Sequence, residues 1–249
     1  MRHEVRLERL TQPDAEARLK ASRLAVLTPG SIEQHGPHLP LGTDAFAAGA
    51  IADAVARKLN AVLISLPLVG VSPYHLSWPG SLSLKPQTLI AVIEDICECL
   101  SDQGVDKILL VNWHEGNTPT LRLAGDSVQR KHKLRVVVAE AHVVTNQLFG
   151  QRAELTHAGN METAAVMMYD PSLVDLTKAT NPTPRADGDA GHALFRQRDV
   201  YPILRDFHEV APTGWYGKPE EATQELAEEI REKVSAYVAD RSREIFDRP

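Results

Sequence analysis

The sequence predicts an α/β fold: a mostly parallel sheet with helices on both sides. Three observations carry that prediction. Short runs rich in Val, Ile and Leu alternate with helix-like stretches along the first 140 residues. These runs lack in–out alternation, as expected of strands covered on both faces. Polar, Gly- and Pro-containing segments follow several of them, where α/β sheets place their ligands.

In chain order, Arg23 to Leu27 (RLAVL) reads as the first strand and Asp44 to Leu59 as the helix after it. Ala61 to Leu66 (AVLISL) is the second strand. Pro86 to Gln103 is the next helix, with Pro86 suited to its first turn and Gly104 to its end. Lys107 to Val111 (KILLV) is the third strand, followed by a helix over Thr118 to His132. Leu134 to Ala139 (LRVVVA) is the fourth strand. Met161 to Tyr169 reads as helical, Thr180 to Asp189 as a polar loop, and Glu220 to Ile245 as a charged amphipathic helix on the outside. No repeat or low-complexity segment divides the chain. The 249 residues are read as one domain spanning 1–249, with region 180–215 an irregular excursion that caps a site or meets another subunit.

Composition narrows the function. The hydrophobic share is 43% and the formal net charge is −6, which gives no basic surface for nucleic acid or an anionic membrane. No apolar run approaches the roughly 20 residues of a membrane span. The first twenty residues are charged throughout and carry no signal-peptide h-region, so the expected location is the cytoplasm. Cys97 and Cys99 are two apart in a helix, point in different directions, and are read as unpaired thiols in or near the core.

Three polar clusters could carry chemistry. Glu33, His35, His38 and Asp44 lie in SIEQHGPHLPLGTD after the first strand. NWHEGN, Asn112 to Asn117, follows the third strand. THAGNMET, Thr156 to Thr163, precedes a helix. Each residue has a plain alternative: Glu33 as a turn cap, Asp44 as an N-cap or first-turn acid, His157 as a core histidine. Their joint placement on one rim favours a shared site. Mixed imidazole and carboxylate donors favour zinc, manganese or iron over magnesium alone. Glu33 and His35 are two apart, so an extended segment turns both the same way, and a carboxylate such as Asp44 could bridge two ions. Two such ions are the machinery of metal-assisted hydrolysis.

These motifs resemble the creatininase family. GSIEQHGPHLPLGTD at 30–44 is similar to its metal-binding signature, NWHEGN at 112–117 to its N-x-H-x-x-N segment, and HAGNMET at 157–163 to its H-A-G-x-x-E-T segment. WPGSLSL at 78–84 and GWYGKPEEAT at 214–223 match further family stretches, so the likeness runs from about residue 20 to 240. The resemblance implies a three-layer α/β/α fold and two divalent metal ions per chain, zinc and/or manganese, with iron also compatible. It implies Glu33 and His114 on one ion, His35 and Glu162 on the other, and Asp44 bridging. His157 matches the family's proton-transfer histidine. Small-molecule C–N bonds in amides, including cyclic ones, are the usual target, and a homo-hexamer is common. His38, His75, Trp78, Glu115 and Asn117 are candidates for substrate contact or for support of the ligands, Glu115 with a catalytic role.

Three positions depart from the family's namesake, and a fourth from many relatives. A tyrosine and then a glutamate follow the N-x-H histidine there; here Glu115 and Gly116 stand in their place. A tryptophan four residues before the H-A-G histidine is Ala153 here. Asn160 stands where many relatives carry an acid. Creatinine is therefore a doubtful substrate. Other branches remove a formyl group, trim a peptide precursor, or open an oxidised cyclic polyol, and any of these is an alternative. A catalytically silent binding protein with the same fold is the alternative of another class.

Overall fold

The computed structural model describes residues 4–184 and 199–248. Four strands form one parallel sheet: β1 Leu24–Thr28, β2 Val62–Ser65, β3 Lys107–Asn112 and β4 Arg135–Glu140, in the order β2-β1-β3-β4. Among the described residues seven α-helices accompany them: α1 Gln12–Ser22, α2 Thr43–Leu59, α3 Pro86–Asp102, α4 Thr118–His132, α5 Ala141–Phe149, α6 Asn160–Tyr169 and α7 Gln224–Phe246.

Alternate strand residues face opposite layers. Leu24, Val26, Leu109 and Val111 pack with α2, α5, α6 and α7. Ala25, Leu27, Ile108 and Leu110 pack with α1, α3 and α4. A parallel sheet covered on both faces needs apolar residues at every position, which is why the strands read as continuous apolar runs. The first layer is built close. Ala47, Ala48, Ala52 and Ala56 of α2 are fully buried with Ala164 and Ala165 of α6 and Ala227 of α7. This is the three-layer α/β/α architecture that the sequence predicts.

Most predicted elements shift by only a residue or two. Pro86 opens α3, and Gly104, at φ +89°, follows its end. The C-terminal helix starts at Gln224 rather than Glu220, because Thr223 caps it by accepting from the Leu226 amide. It is also more deeply packed than an outside helix: Ala227, Ile230 and Val234 are fully buried. Helices α1 and α5 are additions to the predicted set. Cys97 is buried, whereas Cys99 is exposed and not in the core. Residues 185–198 of the predicted excursion, including the end of the Thr180–Asp189 loop, lie outside the described residues.

The strand order matters for function. From β1 the chain crosses to β2 on one side, and β3 lies on the other. Connections leaving β1 and β3 thus diverge, and a crevice opens beyond their carboxyl ends. The first two polar clusters leave the sheet there.

Candidate metal centre

Glu33, His35, Asp44, His114 and Glu162 all converge and are all buried. Asp44 sits in the first turn of α2 and Glu162 in the first turn of α6, where helix N-termini favour carboxylates. Glu33 and His35 come from the irregular path between β1 and α2. Gly36 there adopts φ +66°, and its amide donates to the Gln34 side-chain oxygen (3.1 Å). His114 stands two residues after the end of β3.

Backbone carbonyls fix the two imidazoles. His35 Nδ1 donates to the Glu33 carbonyl (3.1 Å), which leaves Nε2 toward the carboxylates. His114 Nε2 donates to the Val71 carbonyl (3.1 Å), which leaves Nδ1 inward. Tautomer control of this kind is usual around metal-ligating histidines. The Val71 carbonyl is close enough that a Cβ on Gly116 would lie 2.6 Å from it and 2.4 Å from His114 Nε2. Glycine at 116 is thus a condition for seating His114.

The two oxygens of Asp44 lie toward different histidines of the set. His114 Nδ1 lies 3.3 Å from Glu33 Oε2 and 3.2 Å from Asp44 Oδ2. His35 Nε2 lies 3.6 Å from Glu162 Oε2 and 3.8 Å from Asp44 Oδ1. Three sets of ligand atoms lie mutually within 4.8 Å: Glu33–His35–Asp44, His35–His157–Glu162 and Glu33–His75–His157. His35 Nε2 and Asp44 Oδ2 are buried and have no hydrogen-bond partner. Burial works against a charged His35, yet Glu162 and Asp44 outweigh it and hold its pKa at about 10. The same contest at His114, between burial and the carboxylates of Glu33 and Asp44, leaves it at about 9. Three buried carboxylates thus draw positive charge inward. Their oxygens and the two imidazole nitrogens suit zinc or manganese, so the donor set fits two divalent ions.

The supporting residues have distinct places. Ser31 and Ser72 hydroxyls donate to Glu33 Oε2 (2.9 and 2.6 Å). Glu162 accepts from the amide of Ala158, a non-glycine residue held at φ +59°. His38 Nε2 donates to the Ala158 carbonyl (2.8 Å) and so ties the first ligand loop to the H-A-G turn. Asn117 is fully buried. Its amide group spans the Gly30 carbonyl (2.9 Å) and the Val71 amide (2.9 Å), stitching together the loops that follow β1 and β2. Trp78 stacks on His208 at 3.6 Å, outside the cavity lining. Asn160 ties α6 to the preceding turn through the Arg152 carbonyl and the Glu154 amide (both 3.2 Å). Arg152 itself points outward to Glu229 (3.3 Å).

A cavity of about 540 Å³ opens onto the ligands. His75, Glu115 and His157 line it, Glu115 at an exposed position. His157 Nε2 donates to the Gln34 carbonyl (2.8 Å), and its ring lies 4.5 Å from that of His35. Burial, reinforced by His35, holds the His157 pKa well below 6.5. Burial, then His35 and His114, lowers His75 to about 3. Both rings are therefore neutral. His75 is further held by the Gln34 side-chain amide, which donates to its Nδ1 (3.1 Å).

Among the lining residues to which the sequence assigns no role are His142, Trp113, Phe207 and Tyr74. His142 and Trp113 are buried, and each has a ring nitrogen without a partner, Nδ1 and Nε1 respectively. Phe207 packs against both His75 and His157 (4.5 and 4.6 Å). Tyr74 completes the set. Trp113 lies inside the NWHEGN cluster and Tyr74 adjoins the singled-out His75; nothing in local spacing marks His142 or Phe207. Ala153 is buried and does not reach the cavity.

Comparison with known proteins agrees with the geometry. The creatininase family profile, described as creatinine amidohydrolase, matches residues 8–241. The chain is 27% identical to the creatinine amidohydrolase of Pseudomonas putida over 95% of each chain. It is 30% identical to the mycofactocin precursor peptide peptidase of Mycobacterium ulcerans, over 80% of this chain and 76% of that one. The 3-dehydro-scyllo-inosose hydrolase of Thermotoga maritima is 23% identical over 98% and 84% of the two chains. A creatininase mutant complexed with creatine superposes with TM-score 0.80 at 25% identity, over 98% of this chain and 100% of that one, and related solved creatininases include zinc–zinc and manganese forms. With the profile spanning nearly the whole chain and the three motifs gathered at one sheet edge, this protein belongs to the creatininase family.

Proposed function

We propose that this protein is a metal-dependent hydrolase that cleaves an amide-type C–N bond of a small molecule, with two divalent ions in its site. The observation that carries this reading is the placement of Asp44, whose two oxygens face different histidines. Glu33 and His114 would hold one ion, His35 and Glu162 the other, and Asp44 both. Zinc or manganese suits these donors. When bound, such ions lower the pKa of water toward neutrality and polarise a carbonyl.

The chain's own residues supply the rest. His157 is neutral, and its Nε2 is occupied by the Gln34 carbonyl. Nδ1 is then the atom that takes a proton from attacking water and returns it to the leaving nitrogen. Phe207 and Tyr216 limit water around His157, and His75 keeps Glu33 oriented from 3.5 Å. Glu115, at the exposed mouth, is placed to meet the substrate on entry or to assist proton transfer. We also propose that the chain acts as a single domain and assembles as a homo-oligomer, by family likeness a hexamer. Exposed Leu123, Val143 and Leu148 are the kind of surface an assembly covers.

The test is turnover on a panel of cyclic amides, lactams, formamides and short peptides, before and after chelation. The reading expects activity on one amide class, lost on chelation and restored by zinc or manganese. Turnover that survives complete metal removal contradicts it. Turnover confined to an oxidised cyclic polyol replaces the C–N assignment with ring opening at carbon.

A further inference from the structure

We infer that the substrate's scissile amide carries an apolar arm on its amine side, and that the segment 201–210 binds this arm. The inference rests on the hydrolase reading above and names its substrate class.

The cavity of about 540 Å³ is larger than a small flat ring requires; sites of roughly 300–1,000 Å³ are usual for ligands of drug size. One wall comes from Tyr201, Pro202, Ile203, Leu204, Phe207 and Val210. None of these side chains is charged, and only Tyr201 carries a polar atom. The opposite character holds at the ligands, where three carboxylates and two imidazoles are packed. A substrate that fills this cavity is therefore polar at one end and apolar at the other. A polyol would turn its hydroxyls toward carbon and leave them unpaired there.

The position of Phe207 fixes which end of the amide bears the arm. Its ring meets that of His157 edge-on at 4.6 Å and lies 4.5 Å from that of His75. His157 is the group placed to return a proton to the leaving nitrogen. A group attached to that nitrogen would lie toward Phe207 and the wall that Phe207 shares with Leu204 and Ile203. Ile203 is 72% exposed and Tyr201 53% exposed. An arm of a few carbons would cover apolar surface that now faces water, which favours binding in proportion to the area covered.

Three acetamides that differ only in the amine provide the test: N-methyl, N-butyl and N-phenethyl. With metal-loaded enzyme, kcat/KM should rise about tenfold or more from methyl to phenethyl, the discrimination that an apolar pocket gives for added carbon. Leu204→Ser and Ile203→Ser should each shrink that ratio by about threefold or more. Leu176→Ser, at an exposed position outside the cavity lining, should leave the ratio unchanged. Equal kcat/KM for the three amides overturns the arm while the hydrolase reading stands. So does a ratio that persists in both wall variants. No turnover of any amide, by protein loaded with zinc or manganese, overturns both.

Discussion

Asp44 is the residue on which the two proposed halves of the site meet. One oxygen lies 3.2 Å from His114 Nδ1 and the other 3.8 Å from His35 Nε2. A neutral amide in its place keeps the shape and removes a charge shared by both halves. Asp44→Asn is expected to lose turnover by more than about 100-fold, beyond the loss typical of a residue that only supports a ligand. His132→Ala, in the half-buried end of α4 away from the cavity, should stay within about twofold of wild type. Steady-state kinetics with matched metal content checks both, and unchanged turnover in Asp44→Asn removes the bridging role. The five proposed ligands were legible because short motifs keep their chemistry in the sequence itself. His142 and Phe207 were not legible. Topology alone carries them to the cavity, and a lone His or Phe in a sequence has no spacing that distinguishes it.

Elements explain why the motifs had to meet. Parallel strands deliver their following loops to one edge, and the order β2-β1-β3-β4 opens the crevice between the loops after β1 and β3. Continuous apolar runs made all four strands readable. Helix α1 escaped because Leu19 is its only buried residue, so no apolar stripe marks it. Helix α5 escaped because it starts at Ala141, directly after β4 ends at Glu140, with no turn residues between. The two cysteines show the limit of spacing within a helix: two apart is enough to put one in the core and one outside it. Burial pushes the Cys97 thiol up to about 12, while Cys99 is open to solvent. A disulfide reagent should therefore titrate one thiol in the native protein and the second only after unfolding. Rapid labelling of both in the native state contradicts the packing of α3.

At the scale of the molecule, no helix among the described residues is long and apolar enough to cross a membrane. The net charge of −6 keeps the surface acidic, which fits a small-molecule partner better than nucleic acid. Light scattering of the purified protein should give an assembly of about six chains, and a stable monomer at micromolar concentration would remove the hexamer carried over from family likeness. A parallel sheet with helices on both sides was readable from the alternation of strands and helices, and the shared rim from the polar clusters that follow the strands. The chemistry of the cavity wall was not, because it comes from a segment some forty residues beyond the last motif ligand, in a region without periodic pattern. Whether two ions share Asp44 is read by elemental analysis of the purified, metal-reconstituted protein. Close to two zinc or manganese ions per chain are expected in the wild type, with a clear fall in Asp44→Asn. One ion or none in fully reconstituted wild type would rule out the shared pair.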